Sequence, residues 1–272
     1  MKPVVFLTLF ALFYLTSCQR SGEENTVTPD NFTQFQTLIQ QNTRLQTALS
    51  FIIQLTADVM EKAKVNGRIS AETGEIPTCA HLQTDLKNKT LTVDFAGGCN
   101  SPYGTLKGSV TIQYTGGFGQ TGASVIVRIN NFAVGDIALN GTLELNDFKK
   151  TGVNLLEYNL KLTDLTALYQ NKVFKTTMEM GQSWKNFQTV SANDDEINTS
   201  LKGTYVIDEL TYDVETTANL LVKGTCSDNV AVSGLLKMTA KGITATLDYG
   251  AGNCDTVGTL TVGGQSKTVE LR

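Results

Sequence analysis

Two hydrophobic periods divide the chain. Over residues 31–65 apolar side chains recur at three- and four-residue steps: Phe32, Phe35, Leu38 with Ile39, Leu45, Leu49, Ile52 with Ile53, and Val59 with Met60. Glutamines such as Gln34, Gln36, Gln41 and Gln54 take most of the other positions. That spacing predicts an amphipathic helix over 31–67. Asp30 or Asn31 can cap its start and Gly67 can stop it, while Asn42-Thr43 and Ser50 are the weakest points along it. Unbroken, such a helix measures about 50 Å.

From residue 82 the period becomes two. Val110, Ile112 and Tyr114 alternate with Ser109, Thr111 and Gln113; Leu143 and Leu145 alternate with Thr142, Glu144 and Asn146. Val125, Val127 and Ile129 follow the same habit, as do Leu160 and Leu162 around Lys161. These predict antiparallel strands with one dry and one wet face. Turn signals fall at Gly116-Gly117, Asn130-Asn131, Asn140-Gly141, Lys241-Gly242 and Gly263-Gly264. All four prolines lie at or before residue 102, and the chain carries 24 glycines. A proline-free stretch suits a continuous ladder, and glycines suit bends within it.

A repeat refines this picture. Residues 92–106 (TVDFAGGCNSPYGTL) align with 246–260 (TLDYGAGNCDTVGTL), with Asp94 matching Asp248 and Phe95 matching Tyr249. Cys99 and Cys254 fall one position apart inside the glycine-rich turn, and Thr78-Cys79 matches Thr225-Cys226 upstream. The repeat therefore pairs Cys79 with Cys99 and Cys226 with Cys254. The expected fold is mainly β: an antiparallel meander in two similar, strongly curled halves, residues 68–150 and 195–272. The strands of 151–194 connect them, and the N-terminal helix packs on the sheet.

The first residues are a targeting segment. Lys2 precedes an apolar run over residues 4–15, broken only by Thr8 and too short to span a bilayer. It ends in Leu15-Thr16-Ser17-Cys18, which resembles the bacterial lipobox. Residues 1–17 then read as a lipoprotein signal peptide, Cys18 as the acylated residue, and 18–30 as a polar tether. Lipid on Cys18 makes the membrane a partner.

Charge and composition narrow the function. Net charge is −4 and the pI is about 5.1, so no basic field exists for nucleic acid. His81 is the sole histidine. The cysteine spacings contain no Cys-x-x-Cys pair, which argues against zinc, and there is no nucleophile elbow, metalloprotease helix or phosphate loop. Asp248, Asn253 and Asp255 are weak calcium candidates; locking of the turn by Asp94 and Asp248 is the plainer expectation. The acidic run Asn193-Asp194-Asp195-Glu196 reads as a solvated loop. Trp184, Tyr169, Phe174 and Phe187 are candidates to line a ligand site, with core packing as their alternative use. No cofactor is expected.

The lipobox together with the cysteine-paired, Asp-aromatic-glycine repeat resembles a group of Bacteroidota envelope lipoproteins. The resemblance covers some 100 residues and implies an outer-membrane location and a β-rich fold, without an activity. The functional expectation is a lipid-anchored, non-catalytic binding or structural module whose partners are envelope proteins, glycan or lipid. A carrier of lipids or other hydrophobic ligands is one alternative, and a secreted hydrolase with a carboxylate pair is another.

Overall fold

The computed structural model describes residues 28–63, 77–101, 104–187, 194–226 and 229–271. The segment read as signal peptide and lipidated cysteine lies outside them.

The helix forms without a break: α1 spans Pro29–Lys62. Thr28 is its cap, two or three positions earlier than expected. Asn31 Oδ1 reaches back to accept the Thr28 backbone N–H at 2.7 Å, and Pro29 takes the first helical position. The weak point at Asn42-Thr43 holds because tertiary contacts fix it, as shown below.

Fourteen strands follow among the described residues. They are β1 (His81–Asp85), β2 (Thr90–Asp94), β3 (Cys99–Ser101), β4 (Gly104–Tyr114), β5 (Val125–Val134), β6 (Ile137–Lys150) and β7 (Leu155–Tyr169). The rest are β8 (Lys172–Lys185), β9 (Glu196–Ile207), β10 (Leu210–Lys223), β11 (Ser233–Ala240), β12 (Ile243–Ala251), β13 (Val257–Val262) and β14 (Gln265–Glu270). All belong to one antiparallel sheet in near-sequential order, with β3 paired only to β4.

The two repeat regions expected as halves share one continuous sheet. β7 and β8 pair along almost their whole length, with one bulge after Leu162, and carry the ladder between the repeat regions. The sheet is open, with β1 and β14 at its two edges. Gly108, Gly141 and Gly234 serve local bulges. Asn130-Asn131 and Asn140-Gly141, expected as turns, lie inside β5 and β6. Asn131 adopts φ 47°, its N–H donates to Asn140 Oδ1 at 2.7 Å, and Gly141 opens the facing strand at φ 146°. Each register shift there is a bulge, and the real turn is at Gly135-Asp136.

One face of the sheet is dry. Val110, Ile112, Val127, Leu143, Leu160, Met178, Tyr205, Met238, Leu247 and Leu260 all bury their side chains in one cluster with α1. The helix crosses the strands rather than following them. Phe35 meets Tyr212 of β10, Gln46 meets Met178 of β8, and Phe51 stacks on Phe132 of β5. From Phe35 to Phe51 the axis advances about 24 Å. Five strand spacings, β10 to β5, also amount to about 24 Å.

Asn42 anchors the crossing. Its Oδ1 accepts the Tyr205 hydroxyl at 2.7 Å and its Nδ2 faces the Tyr249 hydroxyl at 3.5 Å. Burial pushes both phenols well above their ordinary range, so both stay neutral, Tyr205 donating to Asn42 and Tyr249 accepting from it. Gln41 beside it is just as deep, at 1% exposure, with no partner for either amide atom among the described residues.

Candidate functional site

Disulfides join Cys79 to Cys99 and Cys226 to Cys254, with Cα separations of 5.7 and 5.3 Å. Asp94 Oδ1 accepts the Ala96 N–H and Asp248 Oδ1 accepts the Gly250 N–H, each at 2.8 Å. Both aspartates are therefore engaged in their turns. Asp255 lies close to the Val257 N–H, 3.5 Å away, and no three His, Cys, Asp or Glu side chains gather as a metal site among the described residues. His81 stands exposed at the start of β1 on a sheet edge.

The four aromatic candidates do not converge. Trp184 and Phe187 sit at one end of β8, 5.0 Å apart edge to face, with Phe118, Phe148 and Tyr158 continuing the cluster. Phe174 lies ten positions back along β8 against Tyr205, at 5.9 Å. Tyr169 ends β7 beneath the Arg44 guanidinium, 5.8 Å from its ring centroid. All four are buried. The glycines around Phe118 close a turn: the Gly117 N–H donates to Gln120 Oε1 at 2.9 Å and Phe118 plugs the aromatic cluster.

Of the acidic run, Asp194, Asp195 and Glu196 are described. Glu196 pairs with Lys185 at 2.9 Å. Burial raises the Asp195 carboxyl to about 6. Asp58, on α1, is raised further, to about 7, because burial outweighs the hydrogen bond from Gln54 at 3.0 Å.

The chemistry that the sequence reading missed is on the wet face. Cross-strand register places Glu144 beside Lys161, Lys161 beside Glu179, Glu179 beside Lys202, Lys202 beside Glu215, and Glu215 beside Lys237. Six adjacent strands, β6 to β11, thus carry alternating charges in one row. Lys237 Nζ donates to Glu215 Oε1 at 3.0 Å, and Lys161 approaches Glu179 at 3.9 Å. The Lys237 hydrogen bond, then the charges of Lys237 and Lys202, hold the Glu215 carboxyl below its ordinary range. These side chains remain well exposed, at 41–75% for the four in ion pairs.

Next to this row the face sinks into a groove of about 570 Å³. Its second row runs Asn146, Asn159, Gly181, Ser200 in register. Gly181 makes the floor, since a Cβ there would lie 2.9 Å from Ser200 Oγ. A bulge in β10 deepens one side. Between Glu215↔Lys202 and Leu220↔Thr199, four residues of β10 face two of β9. Thr216 Oγ1 fills the missing ladder bond by accepting the Leu201 N–H at 3.0 Å. The arrangement supplies ammonium donors, carboxylate acceptors, amides and hydroxyls on a rigid surface.

No protein-family model, curated protein or solved structure matches the chain.

Proposed function

We propose that the protein is a lipid-anchored envelope protein acting as a non-catalytic binding module, and that the outer face of β6–β11 is its binding surface. One observation carries the reading. The apolar face of the sheet is consumed by α1, while the opposite face holds an ordered polar groove and an alternating charge row. A carrier of hydrophobic ligands needs its apolar face open. Here Leu38, Leu45 and Ile52 of α1 sit on it with no exposure at all.

Two measurements test the proposal. Cys18→Ala is expected to release the chain from membranes; retention would remove the anchor from the reading. A photoreactive residue in place of Asn146, which lines the groove, is expected to capture a partner on intact membranes. Absence of any adduct there, with normal capture by a control probe at the β1 edge, would remove the outer face as the binding surface.

A further inference from the structure

We infer that the outer face pairs with the same face of a second copy of this chain. The two-fold axis would run parallel to the strands, between β8 and β9. This rests on the reading of that face as a binding surface and names its occupant.

The charge row carries the inference. It reads Glu144, Lys161, Glu179, Lys202, Glu215, Lys237 across β6 to β11. An even number of alternating charges is self-complementary about its midpoint. Rotation about an axis along the strands sets Glu144 against Lys237, Lys161 against Glu215, and Glu179 against Lys202 of the other copy. Every acid meets a base. The spacing also matches at every step, because both rows repeat at the strand separation of about 4.8 Å. A two-fold perpendicular to the strands would instead set each charge against its own kind.

Two more features agree with that axis. Gly181 and Ser200 face each other across it, one on β8 and one on β9. Small side chains at the centre let two sheets approach where longer ones would hold them apart. Rotation about the strand direction also keeps the same end of each sheet pointing the same way. Two chains tethered in one leaflet can therefore meet without either turning over, and tethering raises their effective concentration.

The test uses the full chain on membranes, with the photoreactive residue at position 146, which lines the groove away from the close approach at Gly181 and Ser200. The expected adduct has twice the chain mass. It should fall about tenfold when salt rises from about 0.1 to about 1 M, where the screening length drops to about 3 Å. Differently tagged acidic (Lys161→Glu, Lys202→Glu, Lys237→Glu) and basic (Glu144→Lys, Glu179→Lys, Glu215→Lys) variants should each fail to self-couple yet couple to one another. Thermal melts establish that both variants are folded, and the salt series on the otherwise unaltered chain stands if they are not. A salt-insensitive adduct, or an adduct of another mass, would overturn self-pairing while leaving the binding surface in place. Absence of any adduct would remove both.

Discussion

Asp94 and Asp248 make the same bond at opposite ends of one sheet. Each accepts the N–H two residues on, at 2.8 Å, in turns that the sequence repeat aligns. Yet Asp94 pairs with Ser109 at the end where the Gly135 turn lies, and Asp248 pairs with Thr259 at the other end. β2 and β12 are nine antiparallel steps apart and so run in opposite directions, and among the described residues only the first turn continues into a further short strand, β3. Its bonds to β4 occupy Thr105 and Leu106, whereas their counterparts Thr259 and Leu260 pair with β12 itself. Local chemistry is repeated and the surrounding frame is not.

The disulfides should consequently act independently. They close loops of 20 and 28 residues in sequence separation. Each is expected to contribute about 3–4 kcal/mol. Replacing Cys79 and Cys226 together by serine should cost the sum of the single changes within about 0.5 kcal/mol. Denaturant titration of the three variants checks this, and a marked shortfall would mean that the two ends communicate.

Adjacent helix positions should respond with opposite sign. Asn42→Ala strands the buried Tyr205 hydroxyl and should lose about 2–3 kcal/mol of stability. Gln41→Met removes two unpartnered amide atoms at similar volume and should gain about 1 kcal/mol. Urea midpoints compare them. A loss for Gln41→Met would reveal a bonded water at that amide.

Stability should also carry the signature of Asp58. Its carboxyl titrates near 7 in the fold, against about 3.9 in the unfolded chain. Between those values the folded state holds a proton that the unfolded state has lost, so this group makes stability fall as pH rises. Above about 7 the deficit stays constant. Asp58→Asn keeps an acceptor for Gln54 and should match the original protein near pH 4. By pH 8 it should be more stable by about 2–4 kcal/mol. Parallel unfolding curves across pH would sink the assignment.

Glycine is required at some positions and dispensable at others. At Gly108, φ is +81° and a Cβ would lie 2.1 Å from the Asn131 carbonyl oxygen. Gly108→Ala should cost about 3 kcal/mol. Gly97 has open space around its missing Cβ, and Gly97→Ala should change stability by less than about 0.5 kcal/mol. Thermal melts of the pair separate close approach from mere glycine preference.

What the sequence revealed followed from distance along the chain. The helix, the strand alternation, the cysteine pairs and the aspartate turns are readable because each rests on neighbours in sequence or on a repeat. The charge row is not. Glu144 and Lys237 lie 93 positions apart, and nothing local records that they share a line. Only register does so, and register depends on bulges such as Asn131 with Gly141, which look like turns until their partners are known. The groove was hidden for the same reason: Gly181 reads as a weak point in a strand until Asn159 and Ser200 stand on either side.

The transverse helix has a kinetic consequence. Asn42 is made early, and its partner Tyr249 lies 207 residues later. Until β9 and β12 exist, the helix has a wide apolar surface and a polar anchor with nothing to hold. Contacts of such separation make folding slow and leave the growing chain open to aggregation. The chain must therefore be shielded while it is incomplete, and its earliest element is among the last to find its place.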